Sequence, residues 1–232
     1  PARETIDLGG AFVCPGLIDA HVHIESSLVP PHEFARAVLP HGVTTVVTDP
    51  HEIANVLGLA GVRYMLESSR RSPLSMFVMA PSCVPATSLE SSGASLRWSD
   101  LAELRGDPQV LGLAEVMNYP GVLAKDPGML AKLSAFAAAH KDGHAPLVRG
   151  TALDAYLSTG IATDHECTGA EEAAEKLAKG MAVLLREGSV AKNVAALAPV
   201  LTDASWSRCA FCCFCWRRSA LICRRRSSTS GS

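Results

Sequence analysis

The sequence predicts an α/β fold in which parallel βα units curl into an incomplete (β/α)8 barrel. Three observations carry this. Short apolar, often β-branched runs alternate with amphipathic stretches at intervals of roughly 25 to 35 residues, the pattern of parallel strands joined by right-handed helical crossovers. The strand-like runs end in His, Asp or Glu, where barrels and open α/β sheets both place their chemistry. The length, 232 residues, is near the lower end for such a barrel, for which about 250 is typical and about 200 the floor.

The organising stretch is Pro15-Gly-Leu-Ile-Asp-Ala-His-Val-His-Ile-Glu25, a short buried strand entered through a Pro-Gly turn. Side chains two apart on a strand share a face, so His21 and His23 form a pincer at its end. Ahead of it, Ile6 to Val13 reads as a further short strand. Pro30-Pro31 opens a helix in which Phe34, Ala35, Val38 and Leu39 share a face. Val43 to Thr48 is a buried parallel strand ending in Asp49-Pro50-His51-Glu52. A helix near Ile53 to Ser69 leads to a strand at Met76 to Ala80, then a Ser- and Pro-rich loop. A short helix around Ser99 to Leu104 precedes the strand Val110 to Val116, whose end carries Glu115. Asp126 to His140 reads as an Ala-rich helix running into Asp142-Gly143-His144, and Thr151 to Ser158 as another, running into Asp164-His165-Glu166. Thr168-Gly-Ala-Glu171 has capping-box form at the head of a helix to Lys179, and Met181 to Leu185 is the next strand. Seven barrel strands precede Asp203.

Composition bounds the rest. Apolar residues make up 48% and aromatic ones 5%, which suits Ala, Leu and Val packing between helices and strands. No apolar run approaches the roughly 18 residues that cross a bilayer, and the opening Pro-Ala-Arg-Glu-Thr has no basic region followed by an apolar one. The expected location is the cytoplasm, without a membrane partner. The chain does not start with Met, so it reads as a piece of a longer frame. Up to Asp203 there are 15 basic against 23 acidic residues, an acidic body that gives no support to nucleic-acid binding. The last 29 residues hold six Arg, no acid and five of the eight Cys. Three scattered Cys in the body, Cys14, Cys83 and Cys167, make no disulfide framework.

His21, His23, Glu115, His144 and His165 thus stand at successive strand ends. Imidazoles and carboxylates are ligands of first-row divalent metals, and one carboxylate has two oxygens with which to bridge a pair of ions. The residues alone point to a metal site at the barrel mouth. Bland readings suit the others: His32 and His41 as solvated groups flanking a helix, His140 as a helix-end residue favoured by the helix dipole, and Glu171, Glu172 and Glu175 as a solvated helix face. Lys125 is not at a strand end, which argues against a carboxylated-lysine bridge.

The strings PGLIDAHVHIESS, HGVTTVVTDPHEIANVLG, LGLAEVMNYPGV, DGHAP and GIATDHECTGAEEA, in this order, resemble the adenine deaminases of the amidohydrolase superfamily. The resemblance runs from about Leu8 to Cys212. It implies a TIM-type barrel with an accessory β domain, most of which is absent here. It also implies two divalent metal ions, manganese or iron with zinc as a third option, on His21, His23, Glu115, His144 and His165. Glu115 and His165 count among the catalytic groups. A metal-activated hydroxide would attack C6 of adenine to give hypoxanthine and ammonia, with Glu25, His51 and Glu52 placed for the purine or for support of the ligands. A homo-oligomer is compatible with it.

The sequence departs from that family after Arg208-Cys-Ala-Phe-Cys212. The family continues into Thr-Asp-Asp, whose first Asp binds metal and carries the proton; here Cys213-Phe214-Cys215-Trp216 follows. The abrupt change of composition reads as a frameshift, with a cysteine metal site and a basic membrane-surface segment as weaker alternatives. The expected organisation is a remnant of the β domain at 1–13, a partial barrel at 14–203 lacking a proper eighth strand, and an aberrant, disordered tail at 204–232. The expected function is adenine deamination, impaired in this chain. The alternatives are an inactive metal-binding remnant and a cyclic-amide amidohydrolase, the latter disfavoured by Glu115 where those enzymes carry a lysine.

Overall fold

The structure is a computed structural model and describes residues 3–212. The expectations for 213–232 lie outside the described residues. Strands are β1 (Leu17–Val22), β2 (Val43–Thr48), β3 (Ser75–Ala80), β4 (Val110–Val116), β5 (His140–Gly143), β6 (Thr163–Asp164), β7 (Ala182–Arg186) and β8 (Cys209–Cys212). Between them come α1 (Pro31–Val38), α2 (His51–Leu57), α3 (Leu59–Arg70), α4 (Trp98–Ala102), α5 (Tyr119–Leu123), α6 (Pro127–Ala135), α7 (Gly150–Leu157), α8 (Ala170–Ala178) and α9 (Val194–Leu197).

Strand pairings are all parallel, β1 to β5 forming one sheet and β6 to β8 a second. The Ala162 amide donates to the Lys141 carbonyl at 3.0 Å across the seam between β5 and β6, and β8 lies beside β1. From Ala20 on β1 to Leu184 on β7, every strand contributes to the wall of one cavity of about 200 Å³. The strands therefore surround a common interior, and the chain is a partial (β/α)8 barrel whose eighth strand is described over Cys209–Cys212.

Local chemistry explains the elements. Pro31 takes the first position of α1, where its missing N–H costs nothing, and Phe34, Ala35 and Val38 bury against Val43, Val46 and Met76. The largest core lies between β3, β4 and the helices α3, α4, α6 and α7, with Leu101, Leu113, Leu153 and Tyr156 fully buried. A third cluster packs α8 and α9 on β7 through Ala173, Leu177, Val183 and Leu197.

Four local expectations change. Ile6 to Val13 forms no strand: no neighbouring strand offers it a ladder, and Phe12 and Val13 are 90% and 80% exposed. The helix expected over 53–69 begins at His51 and breaks at Gly58, whose φ of 60° and ψ of −141° only glycine adopts readily. The helix expected to reach His140 stops at Ala135, and His140 opens β5 instead. Parallel pairing of Gly112 with His140 and Leu113 with Lys141 outweighs alanine's helix preference, and a Cβ at Gly112 would collide with the His140 carbonyl. Thr168 does not cap α8, whose N-cap is Gly169 with no side-chain bond; Arg149 engages Glu171 and Glu175, and Lys176, one turn on in the same helix, engages Glu172.

Candidate metal centre

His23 lies one residue beyond β1, Asp49 one beyond β2, His144 one beyond β5 and His165 one beyond β6, while Glu115 is the penultimate residue of β4. These are the carboxyl ends of the strands. The ladder of β1 on β2 slips between Asp19 and Val22, and that of β4 on β5 slips between Leu113 and Val116. His21 and Glu115 each sit inside such an irregularity, a device that re-aims a side chain. Gly143 lets β5 approach β6, since a Cβ there would strike the Thr163 carbonyl.

The Glu115 carboxylate is the hub. His23 Nε2 is 3.2 Å and His51 Nδ1 3.3 Å from Oε1. His144 Nδ1 is 2.6 Å and His165 Nε2 3.2 Å from Oε2, and His21 Nε2 is 3.9 Å from Oε1. His21 Nε2 and His23 Nε2 face one another at 3.0 Å. The rings of His21 and His165 stack with centroids 3.8 Å apart.

A ring of carboxylates and carbonyls orients these imidazoles from behind. His21 Nδ1 meets Asp142 Oδ2 at 2.7 Å. His23 Nδ1 bonds the Asp49 carbonyl at 2.9 Å, and His51 Nδ1 meets Asp49 Oδ2 at 3.0 Å. Glu166 Oε1 is 3.5 Å from His165 Nε2 and is gripped by Arg186 of β7. Burial lowers the His21 pKa, and His165 nearby lowers it further against the pull of Asp142. Burial also opposes charge on His23 and His165. For His23 the hydrogen bond to Glu115 and the charge of Asp49 outweigh it, for His165 chiefly the charge of Glu115, and both rise to about 10. Glu115 and Asp142 are likewise penalised by burial, yet the facing imidazoles hold Glu115 well below the usual carboxylate range and His21 brings Asp142 down to about 2. These are the values of the metal-free protein.

Five imidazoles on one buried carboxylate is a donor set that fits cations. Only one of the two facing Nε2 atoms of His21 and His23 can carry the proton between them, so the other lone pair is free for a cation only if that proton leaves. His165 Nδ1 is buried with no hydrogen-bond partner among the described residues. Imidazole nitrogen with carboxylate oxygen is the ligand chemistry of first-row divalent metals. Three overlapping groups have the required proximity: His23 with Asp49, His51 and Glu115; His21 with Asp142 and His165; and Glu115 with His144 and His165.

Of the residues singled out from sequence, His21, His23, His51, Glu115, His144 and His165 are together. Glu25 and Glu52 stand outside the cluster: Glu25 Oε1 accepts from the Ile53 amide at 3.2 Å and Glu52 Oε1 from Ser26 Oγ at 2.5 Å, clasping the loop after β1 to the head of α2. Sequence reasoning passed over Asp49, Asp142 and Glu166. Each was marked by its neighbour: Asp49 ends a strand, Asp142 is two residues before His144 and so shares its face, and Glu166 follows His165. Glu172, read as a solvated face, is buried at 5% exposure because Lys176 meets it beneath the surface.

A partial barrel with a histidine and carboxylate cluster on its carboxyl rim defines the class, and the chain belongs to the Amidohydrolase family, whose model matches residues 12–211. This family is metal-dependent. Among its relatives, "Adenine deaminase 1" of Rhizobium meliloti (strain 1021) is 60% identical over 201 residues, covering 87% of this chain and 36% of that protein. "Adenine deaminase" of Sinorhizobium fredii is 57% identical over 210 residues, 90% of this chain and 37% of the relative. That of Methylobacterium nodulans is 58% identical over 209 residues, again 90% and 37%. The chain spans a little over a third of the length of these relatives. Among the described residues no helix is long and apolar enough to cross a membrane.

Proposed function

We propose that the chain is the metal-holding barrel of an adenine deaminase, an aminohydrolase that converts adenine to hypoxanthine and ammonia. The observation that carries this is the convergence of five imidazoles on Glu115 at one rim, in a chain whose relatives are named adenine deaminases. His21, His23, Glu115, His144 and His165 would hold two divalent cations, manganese or iron. Such ions, when bound, lower the pKa of water from 15.7 to about 7 and so supply a nucleophile at neutral pH.

The chain's own groups orient and balance this centre. Asp142 and the Asp49 carbonyl fix the rings of His21 and His23. Glu115 stays ionised, and Arg186 screens Glu166 so that a second carboxylate is tolerated beside it. The 204–232 segment contains no Asp or Glu, so within those residues no carboxylate can move a proton from water to the leaving amine. We infer metal binding with little turnover, since removing a proton-transfer group costs about 10²- to 10⁴-fold in rate. Ammonia release from adenine with Mn²⁺ tests this. Bound metal with turnover at or near the background rate is expected, and robust turnover would overturn the impairment.

A further inference from the structure

Behind the rim lies a second charged cluster. Lys176 on α8 is fully buried, yet its ammonium has three acceptors: the Ala145 carbonyl at 2.7 Å, Asp164 Oδ2 at 2.9 Å and Glu172 Oε1 at 2.7 Å. Each partner leads to a histidine-bearing segment. Asp164 Oδ1 accepts from the Ala145 amide at 2.8 Å and its Oδ2 from the Glu166 amide at 3.3 Å. Glu172 Oε1 accepts from the Leu147 amide at 2.8 Å. The backbone just after His144, and on both sides of His165, is thereby pinned to α8. Tyr156, also fully buried, completes the frame: its hydroxyl accepts from the His144 amide at 3.0 Å and donates to the Val116 carbonyl at 2.9 Å, joining the loop after β5 to the residue after Glu115.

Burying one ammonium and two carboxylates costs several kcal/mol per ion by order of magnitude, and apolar packing in their place is often as stable or more so. What apolar packing lacks is direction. Resting on the metal-centre reading, we propose that Lys176 and Tyr156 are positioning residues of that centre: through Asp164, Glu172 and the loop backbone they set the spacing of His144 and His165 about Glu115. Neither side chain hydrogen-bonds a proposed ligand's side chain, so both act through the main chain.

The test titrates Lys176→Met and Tyr156→Phe with Mn²⁺ by calorimetry, and measures unfolding of each without metal. Both variants are expected to bind Mn²⁺ about 10- to 100-fold more weakly at one or both sites, the range seen when groups orienting metal ligands are lost. Tyr156→Phe keeps the ring and removes one oxygen. If Lys176→Met does not fold, Glu172→Gln takes its place, and the same loss is expected. Folded variants that are merely less stable, with Mn²⁺ affinity unchanged, would overturn the proposal. No Mn²⁺ binding by the unaltered chain would instead contradict the metal-centre reading, and the proposal with it.

Discussion

The barrel buries two groups of ionisable side chains within a few residues of each other, and they solve the same problem in opposite ways. Around Lys176 the chain supplies its own cation. Asp164, Cys167 and Glu172 have the proximity of a metal site, but the Lys176 ammonium sits among them and satisfies both carboxylates. Among the described residues no lysine or arginine contacts Glu115, Arg186 reaching only Glu166, and the groups on the Glu115 carboxylate that can carry positive charge are imidazoles, which do so at the expense of their lone pairs. Crowded acids and histidines do not by themselves make a metal centre. What separates the two clusters is whether the protein provides the compensating charge.

The contrast breaks most visibly at its hub. Replacing Glu115 with Ala removes the carboxylate on which the imidazoles converge, and Mn²⁺ binding by calorimetry is expected to disappear, whereas the fold, read by circular dichroism, is retained. Removing the cation of the other cluster weakens Mn²⁺ binding only in part, and its larger effect is expected on folding. Lys176→Ala strands Asp164 and Glu172 in the interior and is expected to cost about 3–5 kcal/mol in denaturant unfolding, the range for breaking a buried pair. Asp142→Asn lies between the two. It leaves His21 a partner of similar shape without the charge, and Mn²⁺ affinity is expected to fall about 10- to 100-fold. The loss of folding stability should be smaller than for Lys176→Ala.

The sharpest distinction in pH dependence comes from His23 and His165. Their folded pKa values near 10 lie above the ordinary 6.5. The stability they contribute to the metal-free protein is fully present below pH 6.5 and is lost as pH rises through 10. Asp142 runs the other way: with its pKa near 2 against 3.8, its contribution is present above 3.8 and lost as pH falls through 2. Metal ligation needs neutral imidazoles, so Mn²⁺ binding at pH 8 is expected to release protons and to tighten as pH rises. Calorimetry in two buffers of different ionisation enthalpy reads this directly, and proton uptake would contradict it.

Much of this was legible in the sequence, and the boundary has a physical cause. β-branched runs and strand-end polar residues marked β2, β3, β4 and the rim, because those signals are carried within a few residues. The end of the helix before His140 was not legible, since it depends on β4 capturing β5 through Gly112. Glu172 was misread for the same reason. On a helical wheel it belongs with Glu171 and Glu175, and only the packing of α8 against the loop after β5 buries it. Asp49 and Asp142 gained their roles from partners 26 and 121 residues away in sequence.

The central claim is that the Glu115 cluster, unlike the Lys176 cluster, is completed by metal. Anomalous diffraction at the manganese edge from crystals of the Mn²⁺-loaded protein measures this most directly. Two peaks bounded by His21, His23, Glu115, His144 and His165, with none at Asp164 and Glu172, are expected; an empty rim, or density at the Lys176 cluster, would contradict the account.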